Sequence, residues 1–471
     1  EMLEGFSNKG MITVALLFLV SEGIRQSGTL GQVIKKLLPQ GKTTVFKAQL
    51  RILPSVAFIS AFLNNTPVVV IFAPIIKHWA KSVKLPATKF LIPLSYVTIL
   101  GGICTLIGTS TNLVVHGMIL EAGFEGFSMF ELGKVGIFIA IAGIIYIFLF
   151  SKRLLPDARP DTAVPDEEVE EGEKLHRVEA VLGARFPGIN KKLKDFNFQR
   201  HYGAEVKEIK TRNGQRFVSN LEEVVLHEGD TLVVMADDTF IPTWGESSVF
   251  VLLTNGNEPD TTGKKKRWFA LLLLVLMIVG ATVGELPITK EMFPDIKLDM
   301  FFFVSITTII MAWTNLFPAR KYTKYISWDI LITIACAFAI SKAMVNSGVA
   351  DSVAKFIIGL SDDYGPHVLL AMVFIITNLF TELITNNAAA ALAFPLALSI
   401  SAQLGVSPTP FFVVICMAAS ASFSTPIGYQ TNLIVQGIGN YKFTDFVRIG
   451  LPLNIITFLI SIILIPLIWN F

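Results

Sequence analysis

The sequence has few charged residues. Lys, Arg, Asp and Glu together make up 16% of its 471 residues, and the formal net charge is +2. Because such a chain lacks the excess of basic residues that binds phosphate backbones, we expect no nucleic-acid partner. The three cysteines, Cys104, Cys336 and Cys416, each lie in an apolar stretch. We expect buried thiols that pack as small hydrophobic groups, without a disulfide or a bound metal.

Apolar residues are abundant instead. They make up 52% of the chain, mean hydropathy is +0.60, and several apolar runs approach or exceed the ~20 residues that cross a bilayer as a helix. No nucleophile, general base or metal-spaced cluster falls within these runs. We therefore expect an integral membrane protein, placed in the plasma membrane, that is neither an enzyme nor dependent on an organic cofactor.

One long hydrophilic segment, residues 160–262, separates a first membrane half (1–159) from a second (263–471). Basic residues flank the segment: Lys152 and Arg153 precede it, and Lys-Lys-Lys-Arg follows at 264–267. Since basic residues collect in cytoplasmic loops, the insert 160–262 is predicted to be cytoplasmic.

The two halves repeat one another. Residues 64–67 (Asn-Asn-Thr-Pro) and 385–388 (Thr-Asn-Asn-Ala) correspond at a shift of 321 residues, and 108–112 (Gly-Thr-Ser-Thr-Asn) corresponds to 428–432 (Gly-Tyr-Gln-Thr-Asn) at a shift of 320. Paired polar breaks in corresponding apolar segments indicate the binding site of a secondary transporter.

The basic loops also predict orientation. Counted outward from the insert, the repeated segments 11–28 and 327–345 cross in opposite directions, the second after a span at 299–317. The sequence therefore predicts an inverted repeat. Because two helices precede 327 in the second half and only six residues precede Ser7, we expect further scaffold helices before Glu1 in the native protein.

Each half is predicted to contain a re-entrant hairpin and a broken helix. Residues 52–76 have basic residues at both ends, which indicates a hairpin entering from the cytoplasm, and 367–396 is its counterpart from outside. The broken helices are expected at about 90–120 and 410–438. A single kinked helix is the alternative for each hairpin.

The hairpin tips carry polar groups without cations. Neither Asn-rich cluster contains Lys or Arg. The N-terminal end of a half-helix offers free N–H groups to an anion, while carbonyl, hydroxyl and amide oxygens suit a dehydrated sodium ion. The alternative is that these Asn and Thr side chains only cap half-helices.

The clusters 64–66 and 385–387 resemble the paired Ser-Asn-Thr motifs of the divalent anion:sodium symporters, and 108–112 resembles the unwound loop of that family, with 424–426 onward as its counterpart. The resemblance covers both membrane halves. It implies an all-α polytopic fold in which two hairpins and two broken helices form a transport domain that slides like an elevator against a homodimeric scaffold.

The resemblance also implies the site residues. The sodium ligands carried over are Ser60, Asn64, Asn65 and Gly108 in the first half, and Thr381, the Ile384 backbone, Asn386 and Gly428 in the second. The substrate contacts carried over are Asn65, Thr66, Ser110, Asn386, Asn387 and Thr425.

The chain departs from the motif at two positions. Asn64 stands for its first Ser, and Asn387 stands for its final Thr. The N–H donors that Asn387 adds count against a dicarboxylate-type substrate. Glu382 matches an acidic position of the family, as a functional carboxylate or a structural partner of the tip.

The insert has strand-like runs at 176–182, 204–210 and 231–235, and a helix-like stretch at 190–196. Residues 227–230 (His-Glu-Gly-Asp) resemble the turn that closes an RCK C-terminal (TrkA_C-like) domain, and sulfate-type members of the symporter family often carry such an insert. Regulation and dimerisation are both open as its role. No G-x-G-x-x-G fingerprint is present, which argues against a Rossmann nucleotide site.

The sequence therefore predicts a sodium-coupled symporter that imports sulfate, or a related small dianion, by an elevator mechanism. A sodium/dicarboxylate symporter is the first alternative and a sodium/proton antiporter the second. An RCK-gated cation channel is a remote third, because 425–429 (Thr-Pro-Ile-Gly-Tyr) looks like a potassium-channel filter but occurs once and contains a proline.

Overall fold

A computed structural model describes residues 9–157, 176–183, 185–211, 215–237, 240–244, 249–254, 264–292, 297–359 and 365–471. These residues are mostly helical, with one small antiparallel sheet between two runs of apolar helices. The helices of the first run are α1 (Lys9–Gln26), α2 (Thr29–Leu37), α3 (Val45–Ser60), α4 (Asn65–Ser82), α5 (Leu91–Gly102), α6 (Ser110–Glu121) and α7 (Gly133–Leu154).

The insert forms a five-stranded sheet in the order β3-β2-β4-β1-β5, and its described neighbouring strands pair antiparallel. Its elements are β1 (His176–Leu182), α8 (Phe198–Tyr202), β2 (Glu205–Lys210), β3 (Arg216–Phe217), β4 (Thr231–Ala236), α9 (Phe240–Trp244) and β5 (Phe250–Thr254). The helix expected at 190–196 is wrong: only a 3-10 turn, Leu193–Asp195, occurs there, and Asn197 caps the short α8 instead.

The second run begins after the insert. Its helices are α10 (Lys264–Gly284), α11 (Pro287–Met292), α12 (Met300–Trp313), α13 (Tyr322–Tyr325), α14 (Trp328–Asn346), α15 (Val349–Gly359), α16 (Gly365–Leu383), α17 (Asn386–Leu404), α18 (Thr409–Ser420), α19 (Gln430–Gly439) and α20 (Phe443–Ile468).

Helices α1 to α6 recur in order as α14 to α19. Each pair begins within two residues of the shift of 320 or 321 that relates the two sequence halves. The chain breaks fall between α3 and α4, between α5 and α6, and at the equivalent positions of the second run. The polar clusters of the sequence therefore lie at helix breaks in both halves.

Local chemistry explains the first break. Pro67 lies in the first turn of α4. In a continuous helix its ring would clash with the carbonyl of residue 63 and its missing N–H would remove a hydrogen bond, whereas the first turn tolerates proline. In the second half Thr385 is the N-cap of α17 and accepts a hydrogen bond from the Ala388 backbone N–H. Different residues thus interrupt the helix at equivalent positions.

Five described helices are long and apolar enough to cross a membrane, judged by length and composition: α7, α10, α16, α17 and α20. The segment expected to span at 299–317 is helical only over α12, whose 14 residues rise about 21 Å. The burial expected of all three cysteines is wrong for Cys336, whose side chain is exposed on α14, whereas Cys416 is buried.

The sheet is attached to two helices, α4 and α19. Lys77 of α4 lies 3.0 Å from Glu179 of β1, and Val181 of the same strand belongs to the apolar core of the helical part. A Cβ added to Gly437 of α19 would lie 2.5 Å from Thr231 Oγ1 of β4, so only glycine permits this close approach. Burial raises the pKa of Glu179, but Lys77 and Lys210 outweigh it and lower that pKa to about 2.

Candidate functional site at four helix ends

Four helix N-termini meet at the two breaks of each half. Helices α4, α6, α17 and α19 begin at Asn65, Ser110, Asn386 and Gln430. Their first residues contact one another across the halves, as described below. Free backbone N–H groups and the positive ends of four helix dipoles therefore converge on one place.

Side chains link these ends in crossed pairs. Thr66 of α4 donates to Gln430 Oε1 of α19 at 3.3 Å. Asn387 Oδ1 of α17 accepts from Ser110 Oγ at 3.3 Å and from Thr111 Oγ1 at 3.2 Å, both on α6. Thus α4 of the first half contacts α19 of the second, and α17 of the second half contacts α6 of the first.

Tyr429 lies at the centre of the site. Its hydroxyl oxygen accepts from Asn65 Nδ2 at 2.6 Å and is 3.0 Å from Thr109 Oγ1. The same hydroxyl is in hydrogen-bonding contact with Asn386. One buried phenol therefore contacts the first residues of α4 and α17 and the residue that precedes α6.

The first predicted sodium cluster places several oxygens together. Ser60 Oγ donates to Asn65 Oδ1 at 2.8 Å. A Cβ added to Gly102 would lie 2.7 Å from Asn65 Oδ1 and 3.1 Å from the carbonyl oxygen of Gly108. The absent side chain lets these two oxygens face one space, which fits a small hard cation. Asn64 is the N-cap of α4, and its side chain makes no capping hydrogen bond.

The second cluster is built differently. Thr381 Oγ1 donates to the Ala419 carbonyl at 2.7 Å, and the Thr381 carbonyl accepts from Ser422 Oγ at 3.3 Å. A Cβ added to Gly428 would touch that same carbonyl. Thr381 and Gly428 are therefore neighbours, and Asn386 is tied to them through Tyr429.

The two tips differ in exposure. Leu63 is 5% exposed, whereas its counterpart Ile384 is 38% exposed. A cavity beside the first tip is lined by Asn64 and Ser110 together with Ser21 of α1 and Met277 of α10. Helices α1 and α10 therefore lie beside the first tip.

The two breaks are braced by the same hydrogen bonds. Asn112 Nδ2 donates to the carbonyl of Thr105 at 2.9 Å, and Asn432 Nδ2 donates to the carbonyl of Thr425 at 3.1 Å. The Gly108 N–H donates to Thr105 Oγ1 at 3.2 Å, as the Gly428 N–H does to Thr425 Oγ1. Equivalent positions thus hold equivalent backbone in both halves.

Thr425 differs from the other five predicted substrate residues. Its hydroxyl donates to the Glu382 carbonyl at 3.1 Å and accepts from Gly428, so it serves the backbone of its own break. Glu382 has a similar bracing role, since its Oε1 accepts from the Ser424 N–H at 2.8 Å and from Asn454 Nδ2 at 2.7 Å.

The sequence interpretation missed Tyr429 and Gln430 as site residues. Both belong to the repeated motif 428–432, where they stand opposite Thr109 and Ser110. Their positions in the repeat could have identified them. The two residues that precede the matched Thr-Asn pair in the second half correspond to the two that precede it in the first half. Residues 60–67, 105–112, 381–388 and 422–432, which form the site, contain no Lys, Arg or His.

Comparisons with known proteins agree with a transport site. The chain is 30% identical, over its full length and 90% of the relative, to an uncharacterized transporter of Synechocystis sp.. It is 28% identical, over 98% of the chain and 93% of the relative, to a putative sulfur deprivation response regulator of Chlamydomonas reinhardtii. Sodium/sulfate cotransporter 2 of that alga is 31% identical over 59% of the chain and 31% of its own length. A citrate transporter family model matches residues 1–405 and 296–470, and the protein therefore belongs to the citrate transporter family.

Proposed function

We propose that the protein is a sodium-coupled symporter that imports sulfate or a related small dianion. The observation that carries the proposal is the meeting of four helix N-termini, α4, α6, α17 and α19, in a site without a basic side chain. Such ends bind anions through backbone N–H groups and the helix dipole. An anion held in this way needs accompanying cations to offset its charge.

Sodium is the proposed accompanying cation. The first cluster offers Ser60, Asn65 and Gly108 oxygens and the second offers those around Thr381 and Gly428. Neutral oxygens of this kind coordinate sodium at helix breaks in secondary transporters. The names of algal relatives, among them a sodium/sulfate cotransporter, support the same combination of transported ions.

The proposed movement is that of an elevator. The repeat is inverted, helices α3–α4 and α16–α17 are re-entrant hairpins, and the two hairpins move with the two broken helices as one transport domain against a homodimeric scaffold. The crossed contacts of Thr66 with Gln430 and of Asn387 with Ser110 support this, because they tie both hairpins to both broken helices. The insert is proposed to be an RCK C-terminal-like regulatory domain in the cytoplasm.

The charge of the substrate sets the smallest number of sodium ions that must accompany it. Bringing a dianion into a cell with an interior near −100 mV costs about 4.6 kcal/mol, twice the ~2.3 kcal/mol per charge. Two sodium ions cancel this cost and leave the sodium concentration gradient to drive uptake. The two oxygen clusters match that number.

The test is uptake of radiolabelled sulfate into vesicles containing the purified protein, with and without an inward sodium gradient. Uptake that needs sodium and is insensitive to excess unlabelled succinate is the expected result. Uptake of labelled succinate in place of sulfate would move the protein to the sodium/dicarboxylate alternative. Sodium-independent flux down the gradient of a cation would instead favour a channel.

A further inference from the structure

We infer that Tyr429 limits the site to small oxyanions and supplies them with a neutral O–H donor. The inference rests on the proposed function and narrows its substrate to anions the size of sulfate.

Tyr429 lies among the first residues of the helices that form the site. It is 6% exposed, and its hydroxyl contacts Asn65, Thr109 and Asn386. These partners belong to both hairpins and to the first broken helix. The ring therefore cannot turn aside without breaking contacts in three separate elements.

The internal repeat shows what the ring adds. The counterpart of Tyr429 is Thr109, whereas Gly108, Thr111 and Asn112 have identical counterparts at the same shift. A small hydroxyl side chain on one side of the site thus faces a phenol on the other. The space between the four helix ends is smaller than two threonines would leave.

The remaining contacts leave little room for a long anion. Thr66 and Gln430 approach to 3.3 Å on one side of the site, and Ser110 and Asn387 to 3.3 Å on the other. A four-carbon dicarboxylate needs two charged groups placed apart, so it would have to separate such pairs and displace the ring. A tetrahedral oxyanion carries its charge around one centre and needs a single opening.

The hydroxyl of Tyr429 is prepared to donate. Its oxygen accepts from the Asn65 amide, and its own hydrogen is directed either to Thr109 or to a bound ligand. Hydrogen-bond chains of this kind strengthen the terminal donor. An oxyanion that replaces Thr109 as acceptor would gain a charge-assisted bond without a fixed positive charge nearby.

The experiment compares Tyr429→Phe and Tyr429→Thr with the parent protein in sodium-driven sulfate uptake, with succinate as competitor. Tyr429→Phe keeps the ring, so we expect unchanged exclusion of succinate and a sulfate KM raised about tenfold or more, the effect of losing a hydrogen bond to a charged group. Tyr429→Thr removes the ring, and we expect the inhibition constant of succinate to fall about tenfold relative to the sulfate KM.

Tyr441→Phe is the matched control. Tyr441 is also buried, and its hydroxyl donates to the Thr88 carbonyl away from the helix ends. Its selectivity should equal that of the parent. Where the threonine variant does not fold, Tyr429→Leu tests the same loss of ring volume.

Three results would overturn the inference: succinate excluded equally from Tyr429→Thr and the parent, succinate admitted by Tyr429→Phe, or a parent protein that accepts both anions equally. The last leaves sodium-coupled anion transport standing. A parent without sodium-driven uptake contradicts the proposed function. In that case the size limit is tested by thermal denaturation of the same variants in sodium. The rise in the denaturation midpoint caused by sulfate is compared with the rise caused by succinate.

Discussion

At the residue scale, the two asparagines that begin the hairpins' second helices have matched positions and unequal surroundings. Asn65 is fully buried and links Ser60 to Tyr429, whereas Asn386 is half-buried on the more open tip. Loss of the Asn65 side chain would therefore leave more polar groups without a hydrogen-bond partner than loss of the Asn386 side chain. A substitution at Asn65 should cost stability as well as transport.

We expect Asn65→Ala and Asn386→Ala each to lower sodium-dependent uptake at least about tenfold, since each removes an amide that bonds the central phenol. Uptake into vesicles by the purified variants measures this. Asn346→Ala, an exposed asparagine at the end of α14, is the control. Normal uptake by either folded tip variant would remove its asparagine from the site.

At the element scale, each broken helix is held open by its own asparagine. Asn112 and Asn432 donate to the carbonyls of residues 102 and 105 and of residues 422 and 425. Without these donors the carbonyls of residues 102, 105, 422 and 425 have no described side-chain partner. Equivalent asparagine N–H donors therefore stabilise the break in both halves.

Asn112→Ala and Asn432→Ala should therefore each destabilise the protein by about 1–3 kcal/mol, the cost of leaving buried carbonyls unpaired. Thermal denaturation of the purified variants in detergent measures the loss. A variant as stable as the parent would contradict the bracing role of its asparagine.

The insert contacts the same two helices, α4 and α19, whose first residues pair through Thr66 and Gln430. Lys77 lies near the far end of α4 and Gly437 near that of α19. The sheet is therefore connected to the site through two short helices.

Lys77→Met leaves the buried Glu179 carboxylate with Lys210 alone, so we expect faster hydrogen exchange in β1 and at the end of α19. The exposed Lys81→Met on the same helix is the control. Exchange unchanged in Lys77→Met would show that the ion pair does not hold the sheet to α4.

The pKa of Glu179 sets the pH range of this contact. It is lowered to about 2 by the two lysines, against an ordinary value of about 4.3. The carboxylate therefore stabilises the folded state fully above that ordinary value, and the contribution of about 2–3 kcal/mol is lost as pH falls through 4 towards 2. Glu179→Gln should show less stability than the parent at pH 7, and the difference should shrink over that acid range.

At the scale of the whole molecule, exposed apolar side chains mark the surface that faces lipid. On α20 they recur every four residues at Leu451, Ile455, Leu459 and Ile463, each at least 50% exposed. A stripe of this kind is stable against acyl chains and not against water. The outer helices thus present a lipid-facing surface, while the polar helix ends lie inside.

Labelling tests the proposed orientation. In a protein with its native cysteines replaced, Gln40→Cys and Ser347→Cys place single thiols after α2 and after α14. We expect a membrane-impermeant maleimide to label Ser347→Cys in intact cells and Gln40→Cys only after permeabilisation. A cysteine at exposed Ser219 in the insert should behave like Gln40→Cys. Labelling of Gln40→Cys and Ser347→Cys from one side would contradict the inverted repeat.

Much of this architecture follows from local sequence. Apolar length specifies the helices, Pro67 and Thr385 specify where helices restart, and β-branched runs specify the strands, because each depends on backbone geometry within a few residues. The repeat itself is visible without a structure. It predicts that 108–112 and 428–432 hold equivalent backbone, and their hydrogen bonds are equivalent.

Contacts between distant parts of the chain could be seen only in the tertiary structure. That Tyr429 reaches Asn65, that Thr425 donates to the Glu382 carbonyl, and that Cys336 faces outward each depend on the packing of helices far apart in the chain. Periodicity fixes which residues share a helix face, but not which distant face they meet. The sequence by itself determined the helices, the breaks and their polar content, and only the folded chain decided which of those polar groups meet at the four helix ends.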